Sequence, residues 1–314
     1  MIHDITVVIP NYNGEKYLCN CLKALKERTS FSTDIIVVDN GSTDNSIKLA
    51  KAAYPEIQYV MLEKNYGFSK AVNEGIKQAK TAYVILLNND TEVREGFVEE
   101  LFYAISVQKK AFSVEAKMLS LSNPEKIDSA GTFYNGFGWA RARGKGKDAS
   151  GYQEACETFA ACAGAAIYRK SLLERLGYFD ENYFAYLEDI DVGYRARLSG
   201  YRNYYEPKAK VLHAGSGTSG SRYNSFKVRI SARNNVYLIY KNMPLGQIVV
   251  NSPLLLAGFV VKMGFFLCKG YGKEYFEGLK EGFSMCREKE KLPFDLRKIR
   301  NYINIQMKLW KVKI

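Results

Sequence analysis

Between residues 4 and 110 the chain alternates two patterns. Short, nearly unbroken apolar runs lie at 4–10, 34–39, 57–62 and 82–88. Each is followed by a stretch whose apolar residues return every three or four positions, at 15–28, 43–54, 68–79 and about 95–107. In the first of these, Leu18, Leu22 and Leu25 fall on one face of a helix. Strands that are apolar throughout and alternate with helices predict an α/β fold, with a parallel sheet covered on both faces. Ligands of such sheets bind beyond the carboxyl ends of the strands. That singles out Asn11, Tyr12, Asp39, Asn40 and the run Asn88, Asn89, Asp90.

From about Ala111 the rhythm breaks. Residues 120–155 are rich in Gly, Lys and Ser, and 141–151 reads as a mobile loop. Beyond it the pattern predicts a strand at 162–169, a short helix at 170–176 and a helix over 184–200 closed by Gly200. Strand-like runs and a helix over 225–242 follow. Then 242–261 is free of charge for 20 residues and is followed by Lys262. A spanning helix needs roughly 20 mainly apolar residues, but Gln247, Asn251, Ser252 and Pro253 make this one poor for its length.

Charge sharpens that picture. The net charge is +12, and residues from Lys241 onward hold 14 Lys and Arg against 6 Asp and Glu. Apolar residues beside basic ones suit a helix pair lying in the interface of an anionic membrane. A spanning helix, and a core or homodimer contact through 245–268, are the alternatives. The six cysteines form no C-x-x-C and no zinc spacing, so reduced thiols in a cytoplasmic setting are expected. The N-terminus has neither the basic region nor the apolar stretch of a signal peptide.

Several residues could carry chemistry. Asp39 ends a strand and is either a turn aspartate before Asn40-Gly41 or a carboxylate that accepts a base N–H. Glu188, Asp189 and Asp191 crowd one helical turn, where mutual repulsion raises at least one pKa, as a general base requires. His213, one of two histidines, follows a strand and precedes a glycine- and serine-rich segment. No phosphate-cradling GxxxxGK[ST] occurs, nor a Ser–His–Asp arrangement.

Five segments in order then carry a resemblance: VVIPNYNGEKYLCNCLKAL, VVDNGSTDNS, NYGFSKAVNEGI, LLNNDTEV and GYFDENYFAYLEDIDVGYRARLSGY. Together they resemble family 2 glycosyltransferases, inverting enzymes of the GT-A fold, and within them a rhamnosyltransferase-like branch that builds polysaccharides. The resemblance spans residues 4 to about 243. It implies a catalytic domain over 1–243, with a nucleotide-sugar half to 110 and an acceptor half over 111–243. A helical, membrane-associating appendage would occupy 244–314. Asp189 would be the general base, with Glu188 and Asp191 behind it. Pro10, Tyr12, Asp39, Asn89 and Lys70 would hold the nucleotide. Asp90 and His213 would hold a divalent cation, Mg²⁺ or Mn²⁺, with Asn88 standing where the family has the first acid of D-x-D.

The implied donor is a UDP- or dTDP-sugar, with rhamnose the lead and other hexoses open. The implied acceptor is a glycan or lipid-linked saccharide met at the inner face of the cell membrane. A sugar-nucleotide pyrophosphorylase would need a G-x-G-x-R-L near the first strand, which is absent. No nucleic-acid module is visible, so no nucleic-acid partner is expected. A family member that binds nucleotide sugar without transferring it is the remaining alternative.

Overall fold

A computed structural model describes residues 4–215 and 223–311. The first half follows the alternation closely. β1 (Ile5–Asn11), α1 (Leu18–Glu27), β2 (Asp34–Asp39), α2 (Ser46–Ala53) and β3 (Gln58–Met61) come first. Next are α3 (Phe68–Gln78), β4 (Tyr83–Leu87), β5 (Thr91–Val93) and α4 (Phe97–Val107). The apolar strands are buried on both faces, as their sequence demands. Ile5, Val7 and Ile9 of β1 pack with α1 and α4, while Val8 between them packs with α3.

The sheet as a whole is mixed, as the GT-A resemblance implies, with a parallel part at the N-terminal end of the chain. β6 (Ala111–Ser120), β7 (Ile127–Ser129), β8 (Thr132–Tyr134) and β9 (Ala140–Ala142) follow, then β10 (Cys156–Thr158) and β11 (Ala165–Arg169). α5 (Lys170–Arg175), α6 (Glu188–Leu198) and β12 (Arg202–His213) follow. Among the described residues the sheet order is β10-β12-β6-β11-β4-β1-β2-β3, with β5 on β12 and β7 on β6. β1, β2, β3 and β4 are parallel, and β11 enters antiparallel between β4 and β6.

One segment gains detail and one expectation changes. Residues 120–155 hold β7, β8 and β9 besides the loop at 141–151, and a carboxylate buried in β6 organises the part around 129–132. Glu115 is fully buried and accepts hydrogen bonds from Ser129, Gly131, Thr132 and the backbone N–H of Cys162. A buried carboxylate must be satisfied, and this one draws in the β7–β8 segment. The helix expected from 184 begins only at Glu188. Phe184, Tyr186 and Leu187 adopt φ of 62°, 69° and 71°, a left-handed turn that non-glycine residues enter at a cost.

That turn is gripped by α7 (Ser225–Asn242). The Asn234 amide donates to the carbonyls of Tyr183, Ala185 and Tyr186 at 2.7–2.9 Å, and Arg233 donates to those of Asn182 and Tyr183.

α8 (Leu245–Cys268), α9 (Gly272–Glu288) and α10 (Ile299–Lys311) close the chain. They share a core with the residues before them, where Leu255, Tyr302, Ile305 and Leu309 pack with Tyr134, Phe159, Tyr194 and Tyr237. The polarity of α8 is reversed. Gln247 and Asn251 face inward, bonded to Tyr194, Tyr302, Gln306 and Trp310, while Leu245, Val249, Leu256 and Val260 are more than half exposed. α8 also approaches so closely that a Cβ on Gly258 would lie 2.1 Å from the Phe137 carbonyl oxygen.

Candidate active site

The carboxyl ends of β1, β2 and β4 reach the same edge of the sheet, because the three strands run parallel in neighbouring registers. Pro10, Tyr12, Asn40, Asn88, Asn89 and Asp90 therefore line one cavity of 920 Å³. The Asn11 side chain ties this wall together. It donates to Asp39, Ser42 and Ser46 and accepts from Asn89 at 2.7 Å. Asn40 holds the next loop by bonding Asn65, Gly67 and the Tyr66 N–H. A Cβ at Gly67 would lie 2.5 Å from the Phe184 carbonyl, so this loop can meet the α6 turn only with glycine there.

The opposite wall is the start of α6, which places Glu188 and Asp189 on the same cavity. Burial raises the Asp189 carboxyl above its usual range, and the charge of Glu115 adds to this. Burial also raises Glu188, reinforced by Asp189, and Glu188 Oε2 has no hydrogen-bond partner. Asp191 is different. Burial alone would raise it, but Arg195 and Lys241 hold it down to about 2. Arg195 donates twice to Asp191 Oδ2, and Lys241 and Asn242 reach it from α7. Asp191 thus fastens α6 to α7 and stays ionised, while its neighbours are the carboxyls poised to exchange a proton.

β12 brings in the remaining group. It pairs with β5 so that His213 faces Thr91, beside Asp90. His213 Nδ1 lies 2.8 Å from Asp128 Oδ2, and Nε2 lies 3.3 Å from Asp90 Oδ1. Burial would lower this imidazole, but the bonds to Asp128 and Asp90 outweigh it and lift the pKa to about 9. Asp128 is held down to about 2 by His213 and Lys145 against the raising effect of burial.

A carboxylate that orients an imidazole toward a second carboxylate is the arrangement that supports a metal-ligating histidine. Among the described residues no group of three or more His, Cys, Asp or Glu could hold a metal alone. Asp90 and His213 fit a divalent cation that takes its other ligands from a bound diphosphate and water.

Asp189, Glu188, Asp90, His213, Asn89, Pro10 and Tyr12 are thus gathered on one cavity. Asp39 lies just behind it, 2 % exposed, with Oδ1 accepting from Ser42 and Asn11 and Oδ2 from the Ser42 N–H. Lys70 is placed elsewhere. Its ammonium pairs with Glu74 at 3.0 Å and Glu181 at 3.4 Å, off the cavity lining. Asp128 and Glu115 were not singled out from the sequence, and Asn11 was singled out only as a strand-end position. An acid inside the apolar run of β6 was a signal for Glu115, whereas Asp128 stands 85 positions from its imidazole and nothing local marks it.

Comparison with known proteins bears on the family and the fold. The model of the family described as glycosyl transferase family 2 matches residues 6–177, more than half of the chain. An N-acetylglucosaminyl-diphospho-decaprenol L-rhamnosyltransferase of Mycobacterium tuberculosis is 26 % identical over 241 residues, covering 69 % of this chain and 78 % of its own. The low-salt glycan biosynthesis hexosyltransferase Agl10 of Haloferax volcanii is 25 % identical, with 84 % and 86 % covered. The structure of a mannosyltransferase from Pyrobaculum calidifontis, in complex with GDP-Man and Mn²⁺, superposes with a TM-score of 0.56. It is 14 % identical, and the match covers 92 % of this chain and 89 % of that one. The likeness to that structure is one of fold, and the architecture is that of GT-A glycosyltransferases. With the family model covering most of the sheet domain, the chain belongs to glycosyl transferase family 2.

Proposed function

We propose that this protein is an inverting glycosyltransferase. It moves a sugar, with rhamnose or another hexose the lead, from a pyrimidine nucleoside-diphosphate donor to a hydroxyl of a lipid-linked, cell-surface glycan. The observation that carries the reading is the shared cavity. Asp189, with its carboxyl raised toward neutrality, faces the strand-end wall of Tyr12, Asn89 and Asp90.

In this reading Pro10 and Tyr12 pack against the base, and Asp39 fixes the loop beneath it. Asp189 takes the proton from the acceptor hydroxyl as that oxygen attacks the anomeric carbon, and a single displacement inverts the centre. General-base groups work best with a pKa near the operating pH, which burial supplies here. Asp90 and His213 would hold a divalent cation, Mg²⁺ or Mn²⁺, that neutralises charge on the leaving diphosphate.

The lipid-linked acceptor is inferred from two features: the acceptor printed in the mycobacterial relative's name and the outward apolar face of α8. α8 is 24 residues long with mean hydropathy 1.7, and only 17 % of its apolar window is buried. With the basic surplus beyond Lys241, that face suits the surface of an anionic membrane. The test is a screen of UDP- and dTDP-sugars with the full chain, reading released nucleotide with and without divalent cation. No release from any donor, alongside intact nucleotide binding, would favour a binding protein that does not transfer.

A further inference from the structure

A second cavity of 370 Å³ lies beside the catalytic one. Its cations are Arg141, Arg143, Lys147, Lys308 and Lys311, against a single acid, Glu157. That acid is already committed. It accepts from Arg197 at 2.8 Å and Lys308 at 2.9 Å, with Arg202 at 3.6 Å. Among the described residues, Arg141, Lys147 and Lys311 have no acidic partner at all.

The floor is apolar, formed by Phe133, Tyr152 and Phe159, and the Arg143 guanidinium is fixed over Tyr152 at 5.0 Å. A basic face made only for solubility is convex and mixes both signs. This one is concave, sets five cations against one committed acid and is floored by aromatic rings, which is the chemistry that binds a phosphate attached to an apolar group.

Its position adds a second argument. Arg141 lines both this cavity and the one holding Asp189. At the other end Lys308 and Lys311 come from α10, whose Ile303 and Trp310 are more than half exposed. The cavity therefore runs between the reacting site and the apolar C-terminal helices.

We infer that this cavity binds the phosphate ester joining the acceptor saccharide to its lipid. The sugar hydroxyl then reaches toward Asp189, and the lipid toward the outer face of the C-terminal helices. The inference rests on the transferase reading above and adds to it the acceptor's anionic handle.

Calorimetry on the full chain tests it, with geranyl diphosphate, geraniol and inorganic pyrophosphate as probes. The variant is Lys147→Gln/Lys311→Gln; both residues are exposed and neither lines the Asp189 cavity. Geranyl diphosphate is expected to bind more tightly than pyrophosphate, and geraniol not at all. The variant should weaken geranyl diphosphate about tenfold or more, from the loss of two charge-assisted contacts, with UDP affinity unchanged. Lys147→Arg/Lys311→Arg should restore binding.

Pyrophosphate binding as tightly as the ester would make this a free-phosphate site and overturn the inference. So would a variant that keeps its affinity for geranyl diphosphate but no longer binds phosphatidylglycerol vesicles, since the cations would then serve membrane headgroups. A chain that transfers no sugar, yet loses geranyl diphosphate through this variant, would retain the cavity's role and refute the enzyme reading alone.

Discussion

At the scale of single residues, three neighbouring acids separate into two kinds. Asp191, ringed by Arg195, Lys241 and Asn242, stays ionised, while Glu188 and Asp189 hold raised carboxyls. Asp189→Asn keeps the shape and removes the proton acceptor, so turnover should fall ~10²–10⁴-fold with nucleotide affinity nearly intact. Retention of more than about a third of the activity would refute the assignment.

Glu188 makes a stability prediction. Its folded pKa lies above the unfolded one, so ionisation opposes folding, and stability drains as pH rises from the ordinary carboxylate range to the raised value. Glu188→Gln should therefore raise Tm by a few degrees at about pH 9 and give no gain at about pH 4. An equal or lower Tm at the alkaline end would show that the crowding is harmless.

His213 must lose its proton to ligate a cation. Mn²⁺ affinity in the presence of UDP should therefore rise with pH toward about 9. Asp128→Asn should weaken that affinity roughly 10–100-fold at fixed pH, because the imidazole loses its orienting partner. Calorimetry in two buffers of different ionisation enthalpy reads the affinity and the released proton together.

At the scale of elements, the turn ahead of α6 decides where the base stands. The positive φ at Phe184, Tyr186 and Leu187 persists because Asn234 and Arg233 hold the carbonyls of Tyr183, Ala185 and Tyr186 in the same turn. Asn234→Ala should cost about 1–3 kcal/mol, seen as a Tm drop of several degrees, and should lower kcat more than it changes nucleotide affinity. Unchanged kcat in a folded variant would show that the turn does not set Asp189. The helix was legible in the sequence; its late start was not, because the cause sits some 50 residues away in α7.

At the scale of the whole molecule, the C-terminal helices are part of the core and also carry most of the exposed large apolar side chains among the described residues. Leu255, Tyr302 and Ile305 complete the packing around Tyr134 and Tyr194, while Val249, Leu256 and Val260 look outward. The full chain should pellet with phosphatidylglycerol vesicles at low salt, be partly released at high salt, and ignore phosphatidylcholine. Val249→Asp/Val260→Asp should abolish pelleting and leave UDP binding unchanged. A chain that ignores both vesicles and sediments as a dimer through 245–268 would replace the membrane with a second copy.

The sequence by itself determined the strands and helices to residue 110 except the short β5, the strand-end position of Tyr12, Asp39 and Asp90, and the crowding at Glu188 to Asp191. These are local facts: periodicity and strand ends are written within a dozen residues. Only the tertiary structure decided that Lys70 pairs with Glu74 and Glu181, that Asp128 holds His213, and that Glu115 gathers the segment after β6. It also turned the apparent defects of the apolar stretch to account. Gln247 and Asn251 are polar because they face the core, and the apolar side is the outer one. The physical reason is common to the last three, since the Lys70–Glu74 pair is a local i,i+4 contact within α3. Where a buried charge or amide finds its partner depends on which distant elements the fold brings beside it, and no local pattern carries that information.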